Sequence, residues 1–156
     1  MSTAAISMTF TNYSQTTLQR GYWGCELEDG FGSLNQSPGP TLIAESGQEV
    51  MSASQILSSL DTGPYDIECT WVNTQTNERF GVKLYVPFQM LHIGKAPYWY
   101  VSYDQEGMNN TEPNWISSGS DPSDQFTWPQ SIGFNIVATP DAGHTSLSVQ
   151  IVIQDQ

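Results

Sequence analysis

Hydrophobic and polar residues alternate with a period of two along most of the chain. In the first such segment, residues 6–11, isoleucine, methionine and phenylalanine alternate with serine and threonine. This alternation predicts strands that bury one face in a core and leave the other in water. Further segments have their apolar positions at Trp23, Cys25 and Leu27, at Tyr65, Ile67, Cys69 and Trp71, at Phe80, Val82, Leu84, Val86 and Phe88, at Ile132, Phe134 and Ile136, and at Leu147, Val149, Ile151 and Ile153. The solvent-facing positions of the Phe80 segment are Arg79, Lys83 and Tyr85.

The succession of these segments predicts an all-β fold. The turn sequence TPDAGH before the last segment favours a hairpin. We therefore expect a single domain over residues 1–156, built as an antiparallel two-sheet β-sandwich. Residues 105–125 depart from the alternation because they are rich in Gly, Pro, Asn, Ser and acidic residues. They predict a long polar loop.

The aromatic residues have two interpretations. Core filling explains Trp71, which lies on the inward side of its segment. Tyr98, Trp99 and Tyr100 are consecutive, and successive side chains of a strand point to opposite faces. Either Trp99 or the two tyrosines must therefore face outward, where amphipathic aromatics suit a membrane interface or a sugar-stacking surface. Trp115, inside the polar loop, is an additional candidate surface aromatic.

The formal net charge is −12, with four basic residues against 16 acidic ones. Nucleic-acid binding requires clustered Lys and Arg that release counterions, so we exclude nucleic acid as a partner. Anionic lipids attract basic segments and are disfavoured by the same reasoning. A membrane target would therefore be neutral or zwitterionic, although the acidity is also consistent with a role in solubility alone.

The sequence shows neither a membrane-spanning helix nor a conventional signal peptide. No apolar run reaches the ~18 residues that a spanning helix requires. The first residues, MSTAAISMTFTN, lack a basic region and a continuous apolar core. We expect synthesis in the cytosol. Release by a non-classical route, followed by action at a target cell membrane, stays open.

The sequence lacks the motifs of common enzymes, including G-x-S-x-G, H-E-x-x-H, the P-loop and the dinucleotide fingerprint. His92 and His144 are the only histidines and fall in loop-like segments, so we expect no metal site and no cofactor. Cys25 and Cys69 fall on inward faces, which favours buried small hydrophobes or one inter-strand disulfide over a reactive thiolate. We therefore expect a binding protein rather than an enzyme.

Several segments resemble, in order, those of the aegerolysin family. They are FTNYSQTTLQ followed by GYWG, then PGPTLIAESGQEV, LDTGPYDIECTW, KLYVPF with GKAPYWYVSYD, and FNIVATPDAGHTSLSVQIVIQ. Aegerolysins are small acidic β-sandwich proteins of fungi and bacteria that include ostreolysin, pleurotolysin A and the small partners of binary insecticidal toxins. The resemblance spans nearly the whole chain and depends on the succession of segments rather than on one motif.

The resemblance implies a lipid-binding function of cytolysin or toxin type. Aegerolysins bind membranes that carry particular sphingolipids, often with sterol, and many act with a larger pore-forming partner of the MACPF type. By position, the resemblance implies lipid contacts by Trp23, Asp61, Phe88 and Lys95, with support from Tyr98 and Trp99. One Lys, one carboxylate and several aromatic rings match both charges of a zwitterionic headgroup.

Two other functions stay open on the sequence. A β-sandwich lectin would stack sugars on Trp99 or Trp115. An acidic interaction module would bind a basic protein partner through charge complementarity.

Overall fold

The computed structural model describes residues 3–27, 30–56, 61–62, 64–87, 89–90, 93–94, 98–117, 123–127, 132–140 and 146–156. The elements in these residues are strands, which confirms the predicted all-β class. The strands are β1 (Thr3–Asn12), β2 (Leu18–Glu26), β3 (Gly32–Gln36), β4 (Thr41–Leu42), β5 (Gly47–Ile56), β6 (Asp61–Thr62), β7 (Tyr65–Asn73), β8 (Glu78–Val86), β9 (Gln89–Met90), β10 (Ile93–Gly94), β11 (Tyr98–Asp104), β12 (Ile116–Ser117), β13 (Ser123–Thr127), β14 (Ile132–Pro140) and β15 (Leu147–Asp155).

Twelve of these strands form two six-stranded sheets, and the other three form a small sheet of their own. The first large sheet has the order β13-β14-β15-β1-β5-β3, and the second has the order β12-β11-β8-β7-β2-β4. Neighbouring strands are antiparallel except β1 and β15, which pair in parallel with Ile6 beside Leu147. The predicted closing hairpin is confirmed, since β14 and β15 pair from Ile132 and Asp155 to Pro140 and Leu147.

The hydrophobic core lies between the two large sheets. Phe10 of β1 is fully buried, and its ring meets Trp71 of β7 at a centroid distance of 5.6 Å and Phe80 of β8 at 6.5 Å. Both contacts are edge-to-face, the arrangement that aromatic rings prefer in a packed interior. The predicted two-sheet sandwich and the predicted core position of Trp71 are therefore confirmed.

Strand β7 is buried on both of its faces. Every residue from Tyr65 to Asn73 is buried, whereas most residues of the neighbouring strand β2 are half-buried or exposed. The inner side chains of β7 belong to the core. On its outer side, Thr70 lies beside Trp115 at Gly81, and Glu68 and Glu112 both approach Lys83. Trp115 and Glu112 belong to residues 105–117, which we call the strap.

Arg79 of β8 holds the strap against the second sheet. Its Nε and Nη2 donate to the two carboxylate oxygens of Asp104 at 2.9 and 2.6 Å. Its Nη1 donates to the backbone carbonyls of Asn109 and Thr111 at 2.8 and 2.9 Å. The sequence placed Arg79 on a solvent-facing position, and this prediction is wrong because the strap leaves only 1% of the side chain exposed.

Trp115 of the strap packs on the outer face of the sheet. A Cβ atom added to Gly81 would lie 3.0 Å from Cη2 of Trp115 and 2.8 Å from Cγ2 of Thr70. The absence of a side chain at Gly81 therefore provides the space that the indole occupies. The indole Nε1 donates to Oε1 of Glu112 at 3.0 Å. Trp115, a candidate surface aromatic on the sequence, is half-buried and forms part of the strap's contact with the sheet.

Replacing Arg79 by Met tests the role of the guanidinium. We expect the free energy of unfolding to fall by about 2–4 kcal/mol, because Asp104 and two strap carbonyls lose their donors. Urea unfolding measures this loss. Cleavage by a glutamyl endopeptidase after Glu106, which lies in the strap, should also become faster.

Asp104→Asn is the matched variant for this test. It removes the charge of the ion pair but leaves the guanidinium bonded to both strap carbonyls, so the loss of stability should be smaller. A strap that resists cleavage equally well in Arg79→Met and in the wild type would contradict the anchoring role.

Candidate ligand-binding site

The outer face of the second sheet brings polar and aromatic side chains together at the end away from Arg79. Two adjacent cross-strand rows carry them: Asp66, Tyr85 and Tyr98 in one row, and Glu68, Lys83 and Tyr100 in the next. Residues that pair across neighbouring strands point to the same side of a sheet. The register therefore places two carboxylates, one ammonium group and three phenol rings on one surface.

The three tyrosines form a compact group, which we call the tyrosine cluster (Tyr85, Tyr98 and Tyr100). The Tyr85 and Tyr98 rings stack at a centroid distance of 6.0 Å with an interplanar angle of 19°. The Tyr100 ring lies edge-on to both, at 6.3 Å from Tyr85 and 6.0 Å from Tyr98. Trp99 points the other way and is 2% exposed, so the sequence alternative in which the two tyrosines face outward is the one adopted.

Buried carboxylates lie beside this cluster. Asp66 and Glu68 are each 5% exposed. The Tyr22 hydroxyl donates to Oε1 of Glu68 at 2.8 Å. Nζ of Lys83 lies 3.8 Å from Oε2 of Glu68 and 3.9 Å from Oε1 of Glu112 in the strap. One ammonium group is thus shared by two carboxylates, with Asp66 as a third acid close by.

Burial keeps these carboxyl groups harder to ionise than usual. Burial raises the pKa of Asp66 to about 6, against the attraction of Lys83 and with the repulsion of Glu26. Burial also raises the pKa of Glu68 to about 7, where the Tyr22 hydrogen bond acts in the opposite direction and the neighbouring carboxylates add to the rise. Both acids therefore change their protonation state near physiological pH.

Two buried oxygens of this group, Oδ1 of Asp66 and Oε2 of Glu68, have no hydrogen bond among the residues that the structure describes. Oε2 of Glu68 has the ammonium group of Lys83 at 3.8 Å, whereas Oδ1 of Asp66 has no such contact. An unpaired buried acceptor is costly in a folded protein, because it has lost water and gained no donor in exchange. A ligand that carries a positive charge or a donor group would remove that cost.

Trp23 and Trp99, two of the six residues expected to contact lipid, occupy different environments. Trp23 is half-buried near the edge of the second sheet, packs against the core, and has Cζ of Arg20 at 5.0 Å from its ring centroid. Trp99 lies in the core, so this structure does not present it to a surface ligand. Tyr98 is half-buried in the tyrosine cluster.

Asp61 lies in the small sheet of β6, β9 and β10. Its backbone pairs with Met90 of β9, and β9 also pairs with β10. Asp61 is thereby held beside the strand that begins directly after Phe88 in the sequence. Phe88 and Lys95, the other two expected contacts, lie outside the described residues.

Cys25 and Cys69 are both free thiols, so the disulfide alternative is wrong. Their strands are neighbours, but the register pairs Cys69 with Trp23 and Cys25 with Ile67. Cys69 is buried, as predicted. Cys25 is exposed, because this end of β2 lies at the edge of the sheet beyond its short pairing with β4. The alternation predicted that Cys25 lies on a strand, but it could not predict that this end of the strand is at the edge of the sheet.

A polar cavity of about 310 Å³ lies beside the strap. Among its lining groups, the guanidinium of Arg79 is already bonded to Asp104 and to the carbonyls of Asn109 and Thr111. Nowhere in the described residues are three His, Cys, Asp or Glu side chains grouped so that they could hold a metal ion. The tyrosine cluster with its acids is therefore the stronger candidate for ligand binding.

No model of a known protein family matches the chain, and no curated protein matches it. In the part of the chain that the structure describes, no helix is long and apolar enough to cross a membrane. The resemblance to aegerolysins therefore stays a prediction from the sequence.

The two thiols should differ in reactivity in the native protein. Burial raises the pKa of both thiols, but Cys25 is exposed to reagent whereas Cys69 is fully buried. We expect iodoacetamide to modify one cysteine in the native state and both in urea, as counted by intact-protein mass. Native modification should disappear in Cys25→Ser. Rapid native modification of both cysteines would contradict the placement of Cys69.

The acids Asp66 and Glu68 should make stability fall as pH rises. Their folded pKa values, about 6 and about 7, lie above the ordinary values of 3.8 and 4.5. The folded protein then binds more protons than the unfolded chain in this interval, so the contribution is full at low pH and is lost towards neutral pH. Glu68→Gln should be more stable than the wild type by about 1–3 kcal/mol at about pH 8 and nearly equal at about pH 4.5.

Chemical denaturation at the two pH values measures this difference. Glu45→Gln is the matched control, because Glu45 is an exposed acid on a turn remote from the cluster in the sequence. Glu45→Gln should keep the pH dependence of the wild type. If Glu68→Gln kept it as well, the raised pKa of Glu68 would be wrong.

Proposed function

We propose that this protein binds membrane lipids and recognises a neutral or zwitterionic headgroup. The observation that carries the proposal is the tyrosine cluster, whose three rings lie half-buried on the outer face of a sheet beside Lys83 and two carboxylates. Tyrosine presents an apolar ring with a polar tip, and for this reason it is enriched where protein meets the membrane interface.

The net charge limits which membranes are suitable. With a charge of −12, the protein would be repelled by anionic lipid surfaces. A zwitterionic or neutral surface carries no comparable repulsion, so the transfer of aromatic rings from water can determine binding. Each tyrosine buries up to about 150–250 Å² when fully covered, and partial burial of a few rings yields several kcal/mol at about 25 cal/mol/Å².

The aegerolysin resemblance supplies the finer part of the proposal. By that likeness the lipid is a sphingolipid, with sterol in the same membrane, and the protein acts in a cytolytic or insecticidal pair with a larger MACPF-type partner. The proposal assigns a binding role rather than a catalytic one, with no cofactor. It includes the headgroup contacts expected of Asp61, Phe88 and Lys95.

Carbohydrate binding is the second candidate function. The unpartnered Oδ1 of Asp66 and the aromatic rings beside it are also groups that accept a hydroxyl and stack on a sugar ring. The sequence predicted stacking by Trp99 or Trp115. Trp99 is buried in the core, and Trp115 packs on Gly81. A lectin would therefore use the tyrosine cluster, and a glycan array tests it.

Sedimentation with lipid vesicles tests the proposed function. We expect binding to vesicles of sphingomyelin with cholesterol or of ceramide phosphoethanolamine with cholesterol, and little binding to phosphatidylserine vesicles. Tyr98→Ala and Trp23→Ala should each weaken binding by about tenfold, equivalent to about 1.4 kcal/mol. Lys95→Ala should weaken it through the headgroup.

Tyr13→Ala is the matched control, because Tyr13 is 58% exposed and lies outside the cluster. It should bind vesicles as the wild type does. The proposal fails if the wild type sediments with none of the neutral or zwitterionic mixtures.

A further inference from the structure

We propose that Tyr85, supported by the stacked ring of Tyr98, forms with Asp66 a binding site for an alkylammonium cation, the group that ends a choline or ethanolamine headgroup. The inference rests on the proposed function for its lipid source, but the site itself can be tested with soluble ligands. Choline and ethanolamine carry the cation at the free end of the headgroup. A site of this kind therefore binds the headgroup with its ammonium end inserted and its phosphate outside.

The first argument is the position of the tyrosine rings. An aromatic face attracts a cation that lies within about 6 Å of the ring centroid. The Tyr85 and Tyr98 rings are stacked at 6.0 Å, which leaves no room for a cation between them. Tyr85 lies between Asp66 and Tyr98 in its row, so its second face is on the side of the carboxylate. A cation bound there touches the ring and the acid together.

The second argument is that an ammonium group already approaches this ring. Nζ of Lys83 lies 6.0 Å from the centroid of Tyr85. It is also 3.8 Å from Glu68 and 3.9 Å from Glu112, so it is shared among several attractions rather than fixed by one close contact. The protein thus places its own ammonium group at the limit of the cation–π distance, beside the position that we assign to the ligand.

The third argument is the carboxylate of Asp66. It is 5% exposed, and its Oδ1 has no hydrogen-bond partner in the described residues. The carboxylates within 4 Å of Nζ of Lys83 in the described residues are those of Glu68 and Glu112, so Lys83 attracts Asp66 from a greater distance. A buried oxygen of this kind accepts from a primary ammonium or balances a quaternary one at close range.

The local charge decides which end of a zwitterion enters. Asp66 is repelled by Glu26 and Glu112, and Glu68 is repelled by Asp66 and Glu112. Lys83 attracts Asp66 and lies within 4 Å of Glu68 and Glu112. A phosphate at this position would meet a surplus of negative charge, whereas an ammonium would reduce it. The phosphate of a headgroup therefore stays on the outer side of the site, towards the membrane.

Titration with soluble ligands tests the site. Choline, phosphocholine, phosphoethanolamine and inorganic phosphate are added separately at about pH 7.5, and binding is followed by calorimetry and by tyrosine fluorescence. We expect the three ammonium compounds to bind and inorganic phosphate to give no response. Tyr85→Leu and Asp66→Asn should each weaken binding about tenfold or more. Tyr13→Leu, the exposed-tyrosine control, should bind as the wild type does.

Lys83→Met distinguishes a cation site from an anion site. Removing the resident ammonium group should strengthen choline binding several-fold, because the ligand no longer competes with Lys83 for the acids and the ring. In a site that reads phosphate, the same variant would lose binding. Binding of inorganic phosphate by the wild type together with its loss in Lys83→Met would overturn the inference.

Vesicle binding separates this inference from the proposed function. If Asp66→Asn and Tyr85→Leu sediment with sphingomyelin vesicles as the wild type does, lipid binding stands and the ammonium site is refuted. If choline binds in solution but no vesicle is bound, the ammonium site stands and the lipid source is refuted. Circular dichroism confirms that each variant is folded, and the isosteric Asp66→Asn keeps the test available should Tyr85→Leu fail to fold.

Discussion

The burial of β7 on both faces is the constraint on which the candidate site depends. An antiparallel strand in a two-sheet sandwich normally has one face in water, and its polar residues cost little there. In this protein the strap covers part of the second sheet, and all nine residues of β7 are buried. The acids on its outer face consequently sit where water cannot fully solvate them, although the alternation of the sequence is that of a strand with one wet face.

This burial converts ordinary strand residues into a site. On an open sheet, Asp66 and Glu68 would be solvated acids of no particular interest. Buried, they have raised pKa values and lie next to stacked tyrosine rings, and Glu68 shares the ammonium group of Lys83 with Glu112. Burial of these acids destabilises the fold, and the hydrophobic core that joins the two sheets through Phe10, Trp71 and their neighbours offsets this cost.

Local sequence patterns predicted the sheets well and the site only in part. Period-two alternation identified the core face of β7 and β8, because a side chain's parity within a strand is a local property. It could not identify the burial of Arg79, which arises when a segment some 25 to 32 residues further along the chain folds back onto it. Parity left two orientations open for Tyr98 and Trp99, and only the pairing of Trp99 with Leu84 selects one. The sequence signal for the site was the position of Lys83 and Tyr85 on the face of β8 opposite the core. It could not show that the acids of β7 lie beside them, because strand pairing is not visible in a single sequence.

The parallel pairing of β1 with β15 has a consequence for how the chain folds. β1 occupies the interior of its sheet, and one of its two neighbours comes from residues about 140 positions later. During synthesis, β1 can pair with β5 early, but its other edge stays open until β15 has been made. Contacts of such long sequence separation slow folding. A nascent chain therefore keeps an unpaired strand edge available to other molecules for most of its synthesis, and this is where assistance from chaperones would act.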